Sequence, residues 1–149
     1  MWAKFLYYAD AIQWIDATTA DVCPGTIALL VHLLPHSDTI LFRSLRYLRW
    51  TETFADTNDL TYMLSPSLHE LQLHVYDFYD TPYTSFAFSE WVARIFHIIA
   101  HLCPNLRLFS VVGMDPVILN ASVLTYFSSM HQVTITQQAF GCKYIQYRT

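Results

Sequence analysis

The stretch LRYLRW at residues 45–50 decides the fold, because its pattern of apolar residues returns three more times along the chain. The pattern is a leucine, two variable residues, a second large apolar residue, one variable residue and a final apolar residue. It recurs as LHELQL at 68–73, as LRLFSV at 106–111 and, more weakly, as MHQVTI at 130–135. The first residues of these phrases lie 23, 38 and 24 positions apart. Periods of roughly 20–29 residues with one short strand each are typical of stacked repeat arrays.

The segments between the phrases have the composition of helices bounded by turns. The best candidate is residues 89–102, where Ser89 can cap the helix and Trp91, Ile95 and Ile99 recur every four residues. Pro104 then ends the helical pattern. The predicted helices are 26–34, 58–64, 89–102 and about 116–129, together with the tail of another at 5–11.

A strand followed by a helix in each unit predicts an α/β fold. We expect a leucine-rich-repeat solenoid of about four to five irregular repeats, with short parallel strands on its concave side and helices on its convex side. The predicted strands are 12–17, 45–50, 68–73, 106–111 and 130–135, the first being a fifth phrase, IQWIDA. The longest gap holds an insertion at about 75–88. Residues 137–149 are an atypical end of this single domain or fragment, either a cap or a repeat cut off.

Composition narrows the class of protein. The chain is 54% apolar and 13% charged, against about 25% charged residues in an average soluble protein. It is therefore expected to be a piece of a longer array or to lie against a partner. The net charge of −4 disfavours nucleic-acid binding. No segment reaches the length of a membrane-spanning helix. Three widely spaced cysteines are typical of reduced thiols in the cytoplasm or nucleus.

Candidate catalytic and metal sites are weak. His69, Glu70 and His74 resemble a zinc-protease motif, but that motif needs its histidines at positions i and i+4 of a helix. His97 and His101 do lie one helical turn apart with Cys103 nearby, which leaves a metal site as a minor alternative. No nucleophile motif and no glycine-rich phosphate loop occurs in the sequence. The sequence predicts no enzyme activity, no metal and no cofactor.

The residues interleaved with the apolar positions predict a binding surface. Side chains alternate between the two faces of a strand, so the variable residues of each phrase share the concave face. Tyrosine, tryptophan and arginine at one end of this face are the residue types enriched at binding hot spots. The predicted binding face comprises Trp14, Asp16, Tyr47, Arg49, Glu70, Gln72, His74, Leu108, Ser110, Gln132 and Thr134. The same alternation extends it to Thr18, Thr51, Val112 and Thr136.

The wording of the phrases and of the steps before them resembles a known family. LFRSLRYLRW, LSPSLHELQL and CPNLRLFSV are similar to the leucine-rich repeats of F-box-type proteins that are abundant in mushroom-forming fungi. In that family a Pro-Ser-Leu or Cys-Pro-Asn-Leu step introduces a strand, as at residues 66–68 and 103–106. The resemblance covers roughly residues 5–136 and implies a substrate-recognition region of a ubiquitin ligase subunit. The family's F-box does not occur in these residues, so docking to the ligase adaptor is not expected.

The sequence is compatible with two functions of different classes. The first is a protein–protein interaction module without chemistry, whose target the sequence does not name. The second is a truncated or remnant repeat fragment that has only a structural role and no specific partner.

Overall fold

The computed structural model describes residues 2–17, 25–34, 40–53, 58–76, 85–113, 132–136 and 144–148. Within them the chain forms four helices and six strands in alternation over most of its length. The helices are α1 (Trp2–Ala11), α2 (Thr26–Leu33), α3 (Asn58–Met63) and α4 (Ser85–Leu102). The strands are β1 (Trp14–Ala17), β2 (Tyr47–Thr53), β3 (Glu70–Tyr76), β4 (Leu108–Val112), β5 (Gln132–Thr136) and β6 (Tyr144–Arg148).

The six strands form one open sheet in which neighbours follow the order of the chain. Strands β1 to β5 are all parallel, and β6 pairs with β5 in the antiparallel direction. The α/β class and the parallel direction of the five predicted strands are confirmed. Strand β6 lies in the region that was expected to be an atypical end, and the repeated phrase does not predict it.

One face of the sheet packs into a single hydrophobic core. Second and third apolar positions of the phrases are buried there, and Leu48, Leu71 and Phe109 are at most 1% exposed. The same core cluster contains side chains from all four helices, among them Ala9, Ile27, Leu60 and Ile99. In α4 the ring of Phe96 contacts that of Phe109 edge-on, with centroids 5.2 Å apart. Among the described residues, most side chains on the opposite face of the sheet are half-buried or exposed.

Each of the five predicted strands begins two residues later than the phrase that predicted it. In the four phrases whose leading residue the structure describes, the N–H of that residue donates to the carbonyl three residues earlier instead of joining the ladder. These bonds are Ile12 to Ala9 (3.2 Å), Leu45 to Phe42 (3.2 Å), Leu68 to Ser65 (3.0 Å) and Leu106 to Cys103 (3.1 Å). The leading leucines are nevertheless buried, so the phrase reports burial rather than strand pairing.

Polar side chains connect successive turns. The Ser67 hydroxyl lies 2.6 Å from the Arg43 carbonyl oxygen and 2.8 Å from that of Leu45, so its hydrogen is donated to the preceding turn. The Asn105 side-chain amide in turn donates to the Pro66 carbonyl at 2.8 Å. These bonds give the serine and the asparagine of the two strand-introducing steps a physical role, because they satisfy carbonyls outside the ladder.

Some helix boundaries differ from those predicted. Helix α4 begins at Ser85 rather than at Ser89, so Ser89 is inside the helix and does not cap it. The proposed insertion at 75–88 overlaps the end of β3 and the first turn of α4, and its middle, 77–84, lies outside the described residues. The helix predicted at 116–129 also lies outside them. Among the described residues, no helix is both long and apolar enough to cross a membrane.

Helix α2 receives its N-terminal cap from a residue distant in sequence. Gly25 precedes the helix with φ of 79° and has no capping side chain of its own. Instead, the carboxylate of Asp59 accepts hydrogen bonds from the backbone N–H groups of Gly25 (2.7 Å) and Ala28 (2.8 Å). Asp59 is 3% exposed and lies in the first turn of α3. A buried carboxylate thus joins α2 to α3 and complements the positive end of the α2 dipole.

We expect Asp59→Ala to lower the free energy of unfolding by about 2–3 kcal/mol, because two partly buried N–H groups lose a charged acceptor. Asp10→Ala, the same change at an exposed position of α1, is the matched control and should stay within about 0.5 kcal/mol of the wild type. Urea denaturation followed by circular dichroism measures both values. Equal stability of the two variants would contradict the capping role.

Candidate functional site

The side chains that the sequence assigned to a binding face lie together on the uncovered side of the sheet. We call this surface the open face and define it by the same eleven residues. None of them is fully buried, in contrast to most of the apolar residues between them. The members are Trp14 and Asp16 on β1, Tyr47 and Arg49 on β2, Glu70, Gln72 and His74 on β3, Leu108 and Ser110 on β4, and Gln132 and Thr134 on β5.

Strand register aligns the open face in two rows. The first row runs across the sheet from Trp14 through Tyr47, Glu70 and Leu108 to Gln132. The second row is Asp16, Arg49, Gln72, Ser110 and Thr134. Adjacent parallel strands lie about 4.8 Å apart, so each row is a line of neighbouring side chains.

The residues that extend the predicted face differ in exposure where the structure describes them. Thr51 is in the same phase as Arg49 but is only 3% exposed, so the expectation that it contributes free surface is wrong. It lies at the third row of the sheet, directly beside His74 in the register. Val112 of the same row is half-buried. Thr18 lies outside the described residues, as does the side chain of Thr136.

An aromatic pair covers one end of the open face. The rings of Trp14 and Tyr47 are stacked, with centroids 5.4 Å apart and planes inclined by 12°. Trp14 is 61% exposed despite this contact. The Tyr47 hydroxyl donates to the side-chain oxygen of Gln72 at 3.4 Å, and burial, followed by the charges of Glu70 and Asp16, raises its pKa. The pair therefore presents a large aromatic surface with a fixed, protonated phenol at its edge.

Arg49 connects three strands through its guanidinium group. Its Nη1 donates to the Asp16 carboxylate at 3.3 Å, and its Nε donates to Nε2 of His74 at 3.3 Å. The Asp16–Arg49 ion pair is 30–40% exposed and adds little stability, as is usual at a surface. Together with the bond to His74, this ion pair holds Arg49 between β1 and β3, and the Asp16 carboxylate neutralises the Arg49 charge locally.

The bond from Arg49 fixes the protonation state of His74. Nε2 can accept a hydrogen bond only when it is unprotonated, so the imidazole is neutral and carries its proton on Nδ1. Burial and then the positive charge of Arg49 lower the pKa of His74 below 6.5, although Asp16 partly opposes them. Protonation of His74 removes the acceptor and places two positive charges side by side.

We expect this arrangement to make stability fall in mild acid. Below pH 6.5 the unfolded His74 binds a proton while the folded one does not, so stability is lost as the pH falls through the lowered folded pKa. Urea unfolding at pH 7.5 and pH 5 should show a smaller difference for His74→Gln than for wild type. His101→Gln, on the exposed side of α4, is the matched control. An unchanged difference in the His74 variant would refute the assignment.

The other end of the open face contains a shallow depression of about 130 Å³ between β3, β4 and β5. Its lining residues are Glu70, Leu71, Leu108, Phe109, Ser110, Gln132 and Thr134. Of these, Leu71 and Phe109 belong to the core on the opposite face of the sheet. Leu108 is 40% exposed there. The Gln132 amide donates to the Thr134 hydroxyl at 3.3 Å and is thereby oriented. The face alone was predictable from strand periodicity, whereas this depression depends on side-chain sizes in three strands.

The alternative metal site is not assembled. His97 and His101 are exposed on α4, whereas Cys103 is 2% exposed beyond the end of the helix. Burial raises the pKa of the Cys103 thiol to about 12, against a smaller opposing effect of a backbone hydrogen bond from Ser65. A protonated, buried thiol is a poor ligand and a poor nucleophile. The described residues contain no group of three or more histidine, cysteine, aspartate or glutamate side chains that could hold a metal ion.

The zinc-protease-like residues are also separated. His74 belongs to the open face, whereas His69 precedes β3 and its Nδ1 lies 2.6 Å from the Ser67 carbonyl oxygen.

Comparison with known proteins adds no relative: no protein-family model matches the chain, and no match was found among curated proteins or solved structures. Function must therefore be inferred from the open face itself.

Proposed function

We propose that this chain is a protein–protein interaction module that binds a partner protein through the open face and performs no chemistry. The observation that carries the proposal is the exposed Trp14–Tyr47 stack held beside Arg49 in aligned rows. Tryptophan, tyrosine and arginine dominate the energetics of protein interfaces. Trp14 is 61% exposed, and the exposure of so much apolar side-chain surface to water is unfavourable unless a partner covers it.

The proposed architecture is a leucine-rich-repeat solenoid whose concave surface is the open face. The recurring turn bond before β1 to β4 supports this interpretation. So does a second recurrence, in which the two N–H groups after each leading leucine both donate to one carbonyl of the previous unit. The acceptors are Gln13 for residues 46 and 47, Arg46 for residues 69 and 70, and His69 for residues 107 and 108. Equivalent bonds at equivalent positions are what stacked repeats produce.

The resemblance to F-box-type proteins makes the proposal more specific. It implies that the open face recognises the substrate of a ubiquitin ligase, with recruitment to the ligase supplied elsewhere. The hydrogen bonds of Ser67 and Asn105 support the resemblance indirectly. Both residues belong to the strand-introducing steps that carry the resemblance, and both connect successive turns. The cysteine usage is consistent with the cytoplasm or nucleus.

Photo-crosslinking tests the proposal. A photoreactive phenylalanine replaces Gln72 or Ser110 on the open face, or Arg94 on the exposed side of α4, in cells that produce the chain. We expect discrete adducts from the two face positions and none from position 94. The same adducts should disappear when Tyr47 and Arg49 are both replaced by alanine, with circular dichroism unchanged. Mass spectrometry of the adducts then identifies the target and any ligase subunit.

Two outcomes contradict the proposal. Adducts that persist in the Tyr47 and Arg49 variant would place binding on another surface. A complete lack of discrete adducts from positions 72 and 110 would favour the competing interpretation, a repeat fragment without a specific partner. Loss of folding in the double variant would instead show that these side chains belong to the core, which would contradict the open face as defined.

A further inference from the structure

The depression at the β3–β5 end of the open face has the size of a binding site for one side chain. Its volume of about 130 Å³ is close to that of protein cavities that accept a single benzene ring, at about 150 Å³. It opens to solvent on the face, and Leu108 is the apolar side chain of the open face among its lining residues. An occupant must therefore be slender, enter from the open face and bring an apolar stem.

Two strong hydrogen-bond acceptors lie at the rim of the depression. Glu70 supplies a carboxylate on the β3 side. On the β5 side one N–H of the Gln132 amide donates to Thr134, and the Gln132 side-chain oxygen is the second acceptor. A carboxylate and an amide oxygen beside a leucine suit a hydrogen-bond donor at the end of an aliphatic chain.

Charge on the open face points the same way. Arg49 is neutralised by Asp16, and its bond to Nε2 keeps His74 uncharged. Within the described residues, Glu70 is the one charged side chain of the open face for which no ion pair is found. Its carboxylate is half-buried beside Tyr47, which strengthens its interaction with a cation that displaces water. The local field therefore favours a positive occupant.

From these observations we infer that the depression is a specificity pocket for a lysine or arginine side chain of an extended segment of the partner protein. The stem would lie on Leu108, and the charged end would reach Glu70 and the Gln132 oxygen. This inference deepens the proposed function and rests on it. An extended segment suits a row of strands because alternate residues of the segment would point at the sheet.

Capped nonapeptides test the pocket directly. The probes have the sequence Gly-Ser-Gly-Ser-X-Ser-Gly-Ser-Gly, with arginine, lysine, leucine or glutamate at X, and are titrated into the ¹⁵N-labelled chain. We expect the arginine and lysine peptides to shift the amide signals of Leu108, Ser110 and Thr134 at lower concentration than the other two. Glu70→Gln should weaken these two peptides about fivefold, as for one partly exposed charged contact, and should abolish the preference over leucine.

Glu90→Gln is the matched control, since Glu90 is an exposed carboxylate on α4. It should leave every titration unchanged. Equal response to the leucine and arginine peptides, no saturable response to any peptide, or an unchanged preference in Glu70→Gln would overturn the pocket. Any of these results leaves the proposed function standing if face-dependent crosslinks are found. Loss of the crosslinks with a preserved basic preference would refute the proposed function but not the pocket.

Discussion

Gly113→Ala should lower the free energy of unfolding by about 3 kcal/mol or more, through backbone geometry alone. Gly113 follows β4 with φ of 93°, a conformation that residues with a β-carbon rarely adopt. A β-carbon at this position would overlap the carbonyl oxygen of Val75 and lie 3.3 Å from its carbonyl carbon. Because the obstacle is backbone near the carboxyl end of β3, it can be relieved only by a shift of backbone.

Gly25→Ala separates the two parts of this effect. Gly25 has a similar φ of 79°, but a β-carbon there would meet no atom within 4 Å. We expect a loss of about 1 kcal/mol, the conformational contribution alone. Thermal and urea denaturation of both variants measure the difference between them. If the two substitutions are equally harmful, the close approach of Gly113 to β3 is wrong.

The positions of the strands could be predicted from the sequence, but their starting residues could not. The repeated phrase detects buried side chains, and Leu45 and Leu68 are as deeply buried as any strand residue. Their N–H groups are committed to turns, so the ladder starts two residues later. An apolar pattern carries no information about where backbone hydrogen bonds change partner.

Features that depend on distant partners were not predictable. In the sequence, Asp59 is an ordinary acidic residue in the first turn of α3. In the structure it caps helix α2 by accepting from N–H groups that lie 31 to 34 residues away. Strand β6 has no phrase of its own and joins the sheet through backbone pairing with β5. Helix α4 extends upstream of Ser89 because a serine can lie within a helix as well as cap it.

The open face shows the same division between predictable and unpredictable features. Period-two alternation assigned its residues to one side, because adjacent side chains of a strand must point in opposite directions. The lateral contacts are a different matter. The bond from Arg49 to His74 depends on register and rotamers between β2 and β3, and the depression around Leu108 depends on three strands. Thr51 shows that correct phase does not guarantee exposure.

Leu71→Asp should unfold the chain. Leu71 is the second residue of β3, is fully buried and belongs to the core that the sheet shares with the helices. Its replacement removes a buried leucine side chain, which alone lowers stability by about 2–5 kcal/mol. It also introduces a carboxylate that must be buried without a partner or be protonated at neutral pH. The sum reaches the entire stability of a typical domain, about 5–15 kcal/mol.

Leu108→Asp is the decisive comparison, since it makes the same chemical change on the opposite face of the neighbouring strand. Leu108 is 40% exposed, so its aspartate can be hydrated and the expected loss is about 1 kcal/mol or less. Circular dichroism and dispersion of amide proton signals at 25 °C distinguish a folded chain from an unfolded one. A folded Leu71 variant, or an unfolded Leu108 variant, would mean that the two faces of the sheet have been exchanged. Because the open face and the core are assigned from one alternation, both would then be wrong together.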